Sequence, residues 1–426
     1  MILYQGITYE NKETPRLIES LYLDCLKTIK DGNILTTEIV INAVDELMKQ
    51  IREGKYDEII LPLLKSLNID KISFLNNVSL FNKEALRYKV EIELGDKIIN
   101  KEYYLNDITM KRVPLGILMH ISAGNVDGLP AFSVIEGLLA LNINILKLPV
   151  GDSGLSILLL SKLIEIEPKL KDYIYVFDIR STDLDNLKKV ANMVDGVVVW
   201  GGDLAVEAAR KFTPLTTKLI TYGHKLSFAY ATLQASDSDL YELCCNICQS
   251  NQLLCSSPQG IFLDTKSNEE LEMFAKRVVN AFIKAEKKYP DYNFGASAKN
   301  SLALYSASLA EKSDMKYYKG DSYSIVIKQD VELELSLLFR NVYIKPLLKD
   351  KIVTNFKRYG GYLQTVYLLC NDDEFKELTN QFIKAGLVKI IPPSLIFMNS
   401  PGTSHDGLYP LYEYTKVVEY KKRENK

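Results

Sequence analysis

The sequence predicts an α/β protein of two doubly wound parts with a small β-ribbon attached. Between Gly116 and Val199 four short, nearly uninterrupted apolar runs alternate with helical patterns, which is how a buried parallel sheet with crossover helices reads. A second succession of helix and strand patterns starts after about residue 235 and runs to about Val388. The 426 residues also exceed the size at which one core keeps growing, so the chain divides into lobes.

Taken in order, the first 60 residues read as helices. Thr14 and Pro15 form an N-cap and N1 pair ahead of Leu17 and Leu21, and Thr36 or Thr37 can cap a second helix. From Tyr88 the pattern alternates: Tyr88, Val90, Ile92 and Leu94 lead to Gly95-Asp96, and Ile98 and Ile99 resume towards Tyr103. Residues 88–104 therefore read as a β-hairpin. Its exposed edge calls for a cover, which makes the chain a candidate homo-oligomer. The four apolar runs are Ile117-Leu118-Met119, Asn144-Ile145-Leu146-Lys147, Ile174-Tyr175-Val176-Phe177 and Gly196-Val197-Val198-Val199-Trp200.

In the second lobe Ser236 or Asp237 caps a helix carrying Leu240, Leu243, Cys244, Ile247 and Cys248. A loop from Asn251 to Gln259 follows, and Gly260-Ile261-Phe262-Leu263 is a short strand. A capping box, Ser267 with Glu270, opens a long helix whose apolar face is Leu271, Phe274, Ala275, Val278 and Phe282. Thr415 to Tyr420 alternates as a closing strand. The expected division is residues 1–239, residues 240–395 and a C-terminal segment 396–426.

Composition excludes several classes. The 52 basic and 54 acidic residues are well mixed and leave a net charge of −2, so no electrostatic footprint for nucleic acid stands out. The N-terminus lacks a basic segment followed by an apolar core, and no uncharged apolar run reaches about 18 residues. The expectation is a cytoplasmic protein without a membrane span. Cysteines at positions 25, 244, 245, 248, 255 and 370 are too dispersed for a disulfide framework. Cys245 and Cys248 form a Cys-x-x-Cys with neither a second pair nor clustered histidines, so no metal is expected.

Four places carry candidate chemistry. Cys255 lies in a small-residue loop between a helix and a strand, where a thiol is accessible, and a thioester is the natural covalent step between an activated acid and an aldehyde. The segment His120 to Pro130 follows a predicted parallel strand, and ligands collect at such strand ends. There Asn125 offers an amide donor to a developing oxyanion, or it supplies turn geometry together with the glycines beside it. Lys147 ends an apolar strand, so its ammonium emerges at the ligand edge, towards a phosphate or ribose or simply towards water. Trp200-Gly201-Gly202, at another strand end, can admit a pyrophosphate near the next helix N-terminus.

In order along the chain, HISAGNVDGLPAFSVIEGLLA, NINILKLP, VVVWGG, YGHKLSF and NQLLCSSPQG resemble the aldehyde dehydrogenase superfamily. Within it they are most similar to the LuxC-type acyl-CoA reductases, the fatty acyl reductases of bacterial bioluminescence. The succession covers residues 111 to 260, with weaker similarity reaching the C-terminus. The resemblance implies an aldehyde dehydrogenase-like fold: a nicotinamide cofactor domain, a catalytic thiol domain, and the ribbon joined by the C-terminal strand for oligomerisation. It implies that Cys255 is the acylated nucleophile and that Asn125 forms the oxyanion hole with the Cys255 backbone N–H. Ser122, Lys147, Trp200, Gly201, Gly202 and Gly223 would then hold NADPH or NADH, with Lys147 at the adenosine ribose or its 2′-phosphate and the glycine pair near the pyrophosphate.

Two departures from the superfamily refine this expectation. Its water-activating Glu-Leu-Gly-Gly is replaced by Thr221-Tyr222-Gly223-His224. Without that carboxylate, water attack is slow, which favours exchange with a thiol and reduction by hydride. Its Glu-x-Phe-Gly-Pro is replaced by Leu337-Leu338-Phe339-Arg340-Asn341, removing the usual contact to the nicotinamide ribose. His224 is a candidate to protonate the hemithioacetal oxygen. The reading is an NAD(P)H-dependent acyl-CoA reductase that takes its acyl group from acyl-CoA or an acyl-protein, with an acyl-protein synthetase as a candidate partner. Its alternatives are a CoA-acylating aldehyde dehydrogenase working oxidatively and a thiol acyltransferase without redox chemistry.

Overall fold

The four apolar runs of the first half pair side by side, as strands covered on both faces must. In the computed structural model residues 1–31, 35–66, 71–95, 98–122, 128–290, 293–310, 316–395 and 401–421 are described. They form two units, residues 1–223 with 399–426, and residues 224–398. Residues 224–239 thus go with the second unit.

The first unit contains β1 (Ile2–Tyr4), β2 (Ile7–Tyr9), β3 (Glu102–Leu105), β4 (Ile108–Pro114), β5 (Ile117–Ile121), β6 (Ile143–Lys147), β7 (Ile174–Phe177), β8 (Gly196–Trp200) and β9 (Lys218–Tyr222). Its main sheet runs β2-β1-β7-β6-β5-β8-β9, with β7 through β9 parallel. From β5 the chain winds outward to β6 and β7, then returns to lay β8 on the other side of β5. That reversal puts a crevice at the carboxyl ends of β5 and β8, where doubly wound sheets bind their ligands.

Two expectations are corrected in this unit. The start of the chain is a β-hairpin rather than helix: Gln5 (φ 49°) and Gly6 (φ 77°) form a left-handed two-residue turn, and Ile2, Leu3 and Tyr4 are buried beside β7. Helices follow at Thr14–Lys30 and Thr37–Arg52, the latter capped by Thr36. Residues 88–94 belong to the helix Lys83–Leu94, capped by Asn82, and are not the first strand of a hairpin. The alternation misled because Tyr88 and Ile92 are exposed. The buried face is Ala85, Leu86, Glu93 and Leu94, with Lys89 Nζ paired to Glu93 at 2.5 Å and Glu136 at 2.9 Å. The ribbon is instead β3 and β4.

The second unit contains β10 (Leu226–Ala231), β11 (Pro258–Leu263), β12 (Lys316–Lys319), β13 (Ser324–Ile327), β14 (Asn341–Pro346), β15 (Leu363–Leu369) and β16 (Lys389–Ile391). They are ordered β12-β13-β14-β11-β10-β15-β16, parallel except for β12. Along β10, Ala229 and Ala231 join a core with the helices Asp237–Ser250 and Asn268–Lys288, while Phe228 and Tyr230 join a separate core with Ile352–Phe356 and Asp372–Ala385. Both faces are therefore covered. Cys244, Cys245 and Cys248 are buried on the first of these helices, as small apolar residues would be. The closing strand β17 (Thr415–Tyr420) pairs antiparallel with β4 in the first unit, giving the three-stranded ribbon β17-β4-β3. No helix among the described residues is long and apolar enough to cross a membrane.

Candidate functional site

Cys255 is exposed, whereas Cys25, Cys244, Cys245 and Cys248 are buried and Cys370 is half-buried. Its loop is held from several sides. Ser227 Oγ donates to the Cys255 carbonyl at 2.8 Å, and Tyr367 Oη donates to the Ser256 carbonyl at 2.8 Å. Gln252, almost fully buried, donates to Pro258 O and Asn341 O, both at 3.0 Å, and accepts the Asn341 N–H at 3.0 Å. Satisfying the backbone by side chains in this way fixes a loop that has no ladder of its own.

That loop also stores strain. Asn251 and Gln252 have φ of 46° and 61°, and Leu338, Phe339 and Arg340 have φ of 61°, 49° and 65°. None is glycine, so each costs on the order of 1 kcal/mol or more. The two segments are bonded to each other by Phe339 N–H to Asn251 O at 3.0 Å. Arg340, buried, donates to Asn251 Oδ1 and the Cys248 carbonyl at 2.9 Å and to Ser322 at 2.8 Å. Its cation also meets the C-terminal end of the helix Asp237–Ser250. The Leu337 to Asn341 stretch, which lacks the superfamily's glutamate, thus braces the thiol loop.

In the first unit, Ser122 follows β5, is buried, and its hydroxyl has no hydrogen-bond partner among the described residues. Gly201 follows β8, where an added Cβ would come within 2.9 Å of Ala205 Cβ. Gly202 has open space beside it and caps the helix Asp203–Phe212 without a side-chain bond. An orphaned hydroxyl, a glycine that keeps the backbone approachable and a helix N-terminus suit a pyrophosphate. Lys147, at the end of β6, is buried and donates to Ser181 at 3.2 Å. Burial pulls its ammonium pKa down, opposed by the charge of Asp178. The Trp200 side chain turns inward instead, stacked on Tyr222 with centroids 4.0 Å apart. His224 is half-buried in the link before β10, and Gly223 ends the first unit. Asn125 lies outside the described residues.

A model of the family described as "Acyl-CoA reductase (LuxC)" matches residues 33–417. The chain belongs to this family. It is 25% identical over 371 residues to a long-chain acyl-protein thioester reductase of Photobacterium phosphoreum, covering 85% of this chain and 73% of the relative. The Vibrio harveyi protein of the same name is 23% identical over 359 residues, covering 81% and 73%. Among solved structures, the fold matches an NAD-dependent aldehyde dehydrogenase of Sinorhizobium meliloti with a TM-score of 0.74 at 11% identity, covering 100% of this chain and 95% of that one. It also matches the glyceraldehyde-3-phosphate dehydrogenase GapN of Methanocaldococcus jannaschii complexed with NADP, with a TM-score of 0.71 at 15% identity, covering 98% and 96%. The chain therefore has the aldehyde dehydrogenase fold, as its motifs imply.

The strand β5 carries a buried network that the residues alone did not reveal. His120 is fully buried, with Nε2 3.0 Å from Asn144 Oδ1 and Nδ1 2.7 Å from Ser133 Oγ, which also accepts the Trp200 indole N–H at 3.0 Å. An amide oxygen only accepts, so Nε2 carries the proton and Nδ1 accepts from Ser133. Burial pulls the His120 pKa down to about 4, opposed by the Asn144 bond. The unfolded chain therefore binds a proton near pH 6.5 that the folded chain refuses. The contribution of His120 to stability is complete well above pH 6.5 and is lost, by on the order of 3 kcal/mol, as the pH drops towards 4. Urea unfolding across that window should show the loss in the wild type and a shallower slope in His120→Gln; equal slopes would exclude His120 as its source.

Ser227, Gln252 and Arg340 lie in stretches the sequence marked, but their part in holding the Cys255 loop was missed. A motif marks such residues without naming the backbone group each one bonds.

Proposed function

We propose that this chain reduces a fatty acyl thioester to the aldehyde with NADPH or NADH, through an acyl thioester formed on Cys255. The observation that carries this reading is the exposed thiol of Cys255 on a braced loop ahead of β11. Family membership and the names of the relatives support the substrate class. Leu253 and Leu254, which lead into the thiol, are 51% and 45% exposed, an approach suited to an alkyl chain rather than to a charged substrate.

A bound reduced nicotinamide would supply the hydride. Ser122, Gly201, Gly202 and Lys147 would hold the dinucleotide, Ser122 by satisfying its hydroxyl and Lys147 by meeting ribose or phosphate. The Cys255 thiolate would add to the acyl carbonyl, and its backbone N–H with the Asn125 amide would bear the oxyanion. The first unit offers no Glu at the Thr221 position, so little would draw water onto the acyl group. Association of copies through the ribbon belongs to the same reading.

The deciding assay offers labelled long-chain acyl groups, on CoA and on a carrier protein, with each reduced nicotinamide. Expected are an acyl adduct mapped to Cys255 and loss of cofactor absorbance matched by aldehyde. An adduct without cofactor oxidation would make the chain a thiol acyltransferase; no adduct would end the proposal. His224→Gln should alter the pH profile of turnover if His224 protonates the hemithioacetal oxygen, and an unchanged profile would remove it from the mechanism.

A further inference from the structure

β15 is buried along its length and is apolar apart from Gln364, Thr365 and the Tyr367 hydroxyl. An amide in such a place costs free energy unless its ends are paired. Gln364 is 7% exposed, with Nε2 3.3 Å from the Cys255 Sγ and Oε1 3.4 Å from the Ser227 hydroxyl. Ser227, fully buried, also accepts the Thr365 N–H at 3.2 Å while donating to the Cys255 carbonyl. The hydroxyl has one proton, which the shorter bond gives to the Cys255 carbonyl, so Ser227 ties the thiol's backbone to the Thr365 N–H of β15, the residue after Gln364.

The strand register explains why the amide points there. Between the pairs Leu226↔Leu363 and Phe228↔Val366, β15 uses one residue more than β10. Between Ser227↔Pro258 and Ala229↔Ile261, β11 does the same. Two bulges flank Ser227 at the sheet end that carries the thiol, and a bulge turns a side chain out of the regular alternation. Lys389 of β16 lies in register with Thr365; burial pulls its ammonium pKa down, and the charge of Cys255 opposes that shift. Tyr367 of β15 also feels the charge of Cys255, and its hydroxyl donates to Ser256 O.

We propose that Gln364 is a catalytic hydrogen-bond donor to the sulfur of Cys255, holding it as a thiolate before acylation and receiving it as the leaving group when the aldehyde departs. This rests on the reading of Cys255 as the acylated nucleophile. A thiolate only accepts and an amide NH₂ only donates, so the pair matches in one direction. In acylation the sulfur lone pair forms the new C–S bond, the old C–S bond breaks, and the donor leaves as a thiol with a proton from solvent. After hydride adds to the acyl carbon, the alkoxide pair re-forms C=O and the C–S bond breaks. Its electron pair returns to the sulfur, where the Gln364 N–H meets it.

The test is the rate of Cys255 alkylation by iodoacetamide against pH, read by peptide mass spectrometry on the full chain. In the wild type, alkylation at pH 7 should be at least about tenfold faster than that of a cysteine in a free peptide. Gln364→Met keeps the length and removes the donor; its profile should move up by about one pH unit and its rate at pH 7 should fall about tenfold. Gln364→Asn withdraws the amide from the sulfur and should move the profile the same way, and Lys389→Met should add a smaller upward shift. A wild-type rate no faster than the free peptide, or folded variants whose profiles superimpose on the wild type, overturns the proposal. Acyl labelling of Cys255 is followed in parallel. Its absence with the alkylation shift intact overturns the nucleophile reading and the catalytic role with it. Its presence with superimposed profiles overturns the role of Gln364 alone.

Discussion

Cys255→Ser is expected to abolish the acyl adduct and to lower reductive turnover by on the order of 10³-fold or more. A serine hydroxyl is far less acidic than a thiol, and an oxygen ester resists hydride more than a thioester does. The other cysteines are buried, Cys248 among them, or half-buried in the case of Cys370. Burial pushes the Cys25 thiol up to about 12 and the Cys370 thiol to about 11, and it raises Cys244 and Cys245 in the same direction. At neutral pH these are protonated thiols, which are poor nucleophiles. The exposed side chain at 255 adds little packing, so urea unfolding should change by no more than about 0.5 kcal/mol. Adduct formation and turnover are measured on the same preparation. A Cys255→Ser protein that still accumulated acyl label on another cysteine and still reduced it would move the chemistry elsewhere.

Asn125→Ala is expected to lower turnover by about 100-fold or more while leaving the fold and the alkylation of Cys255 intact. In the proposed reaction acylation, reduction and release would each pass through a tetrahedral oxyanion, and a donor lost from that position would be felt in every one. The role is inferred from the resemblance, so the kinetics must carry it. A loss in kcat with an unchanged KM would mark a group that acts only as charge develops. Near-normal kcat would remove Asn125 from the oxyanion hole.

How much of this was legible in the residues follows from the range of the forces involved. The four runs from Ile117 to Trp200 could be read because a strand buried on both faces has no polar alternation to confuse it. The caps at Thr36 and Ser267 could be read because a cap bonds within its own first turn. The alternation from Tyr88 to Leu94 failed as a guide. Its helix is held by Asn82 at one end and by the pairing of Lys89 with Glu93 and Glu136, the last far along the chain.

The residues in order along the chain were enough to mark the LuxC family and its fold, and they pointed to a loop thiol, a glycine pair at a strand end and a missing carboxylate at Thr221. Which groups meet the sulfur emerges only once the strands are assembled. Gln364 lies 109 positions from Cys255 in the chain and reaches it because two strands each carry one extra residue beside Ser227. Register between distant strands is set by packing across the whole sheet, and no local pattern encodes it.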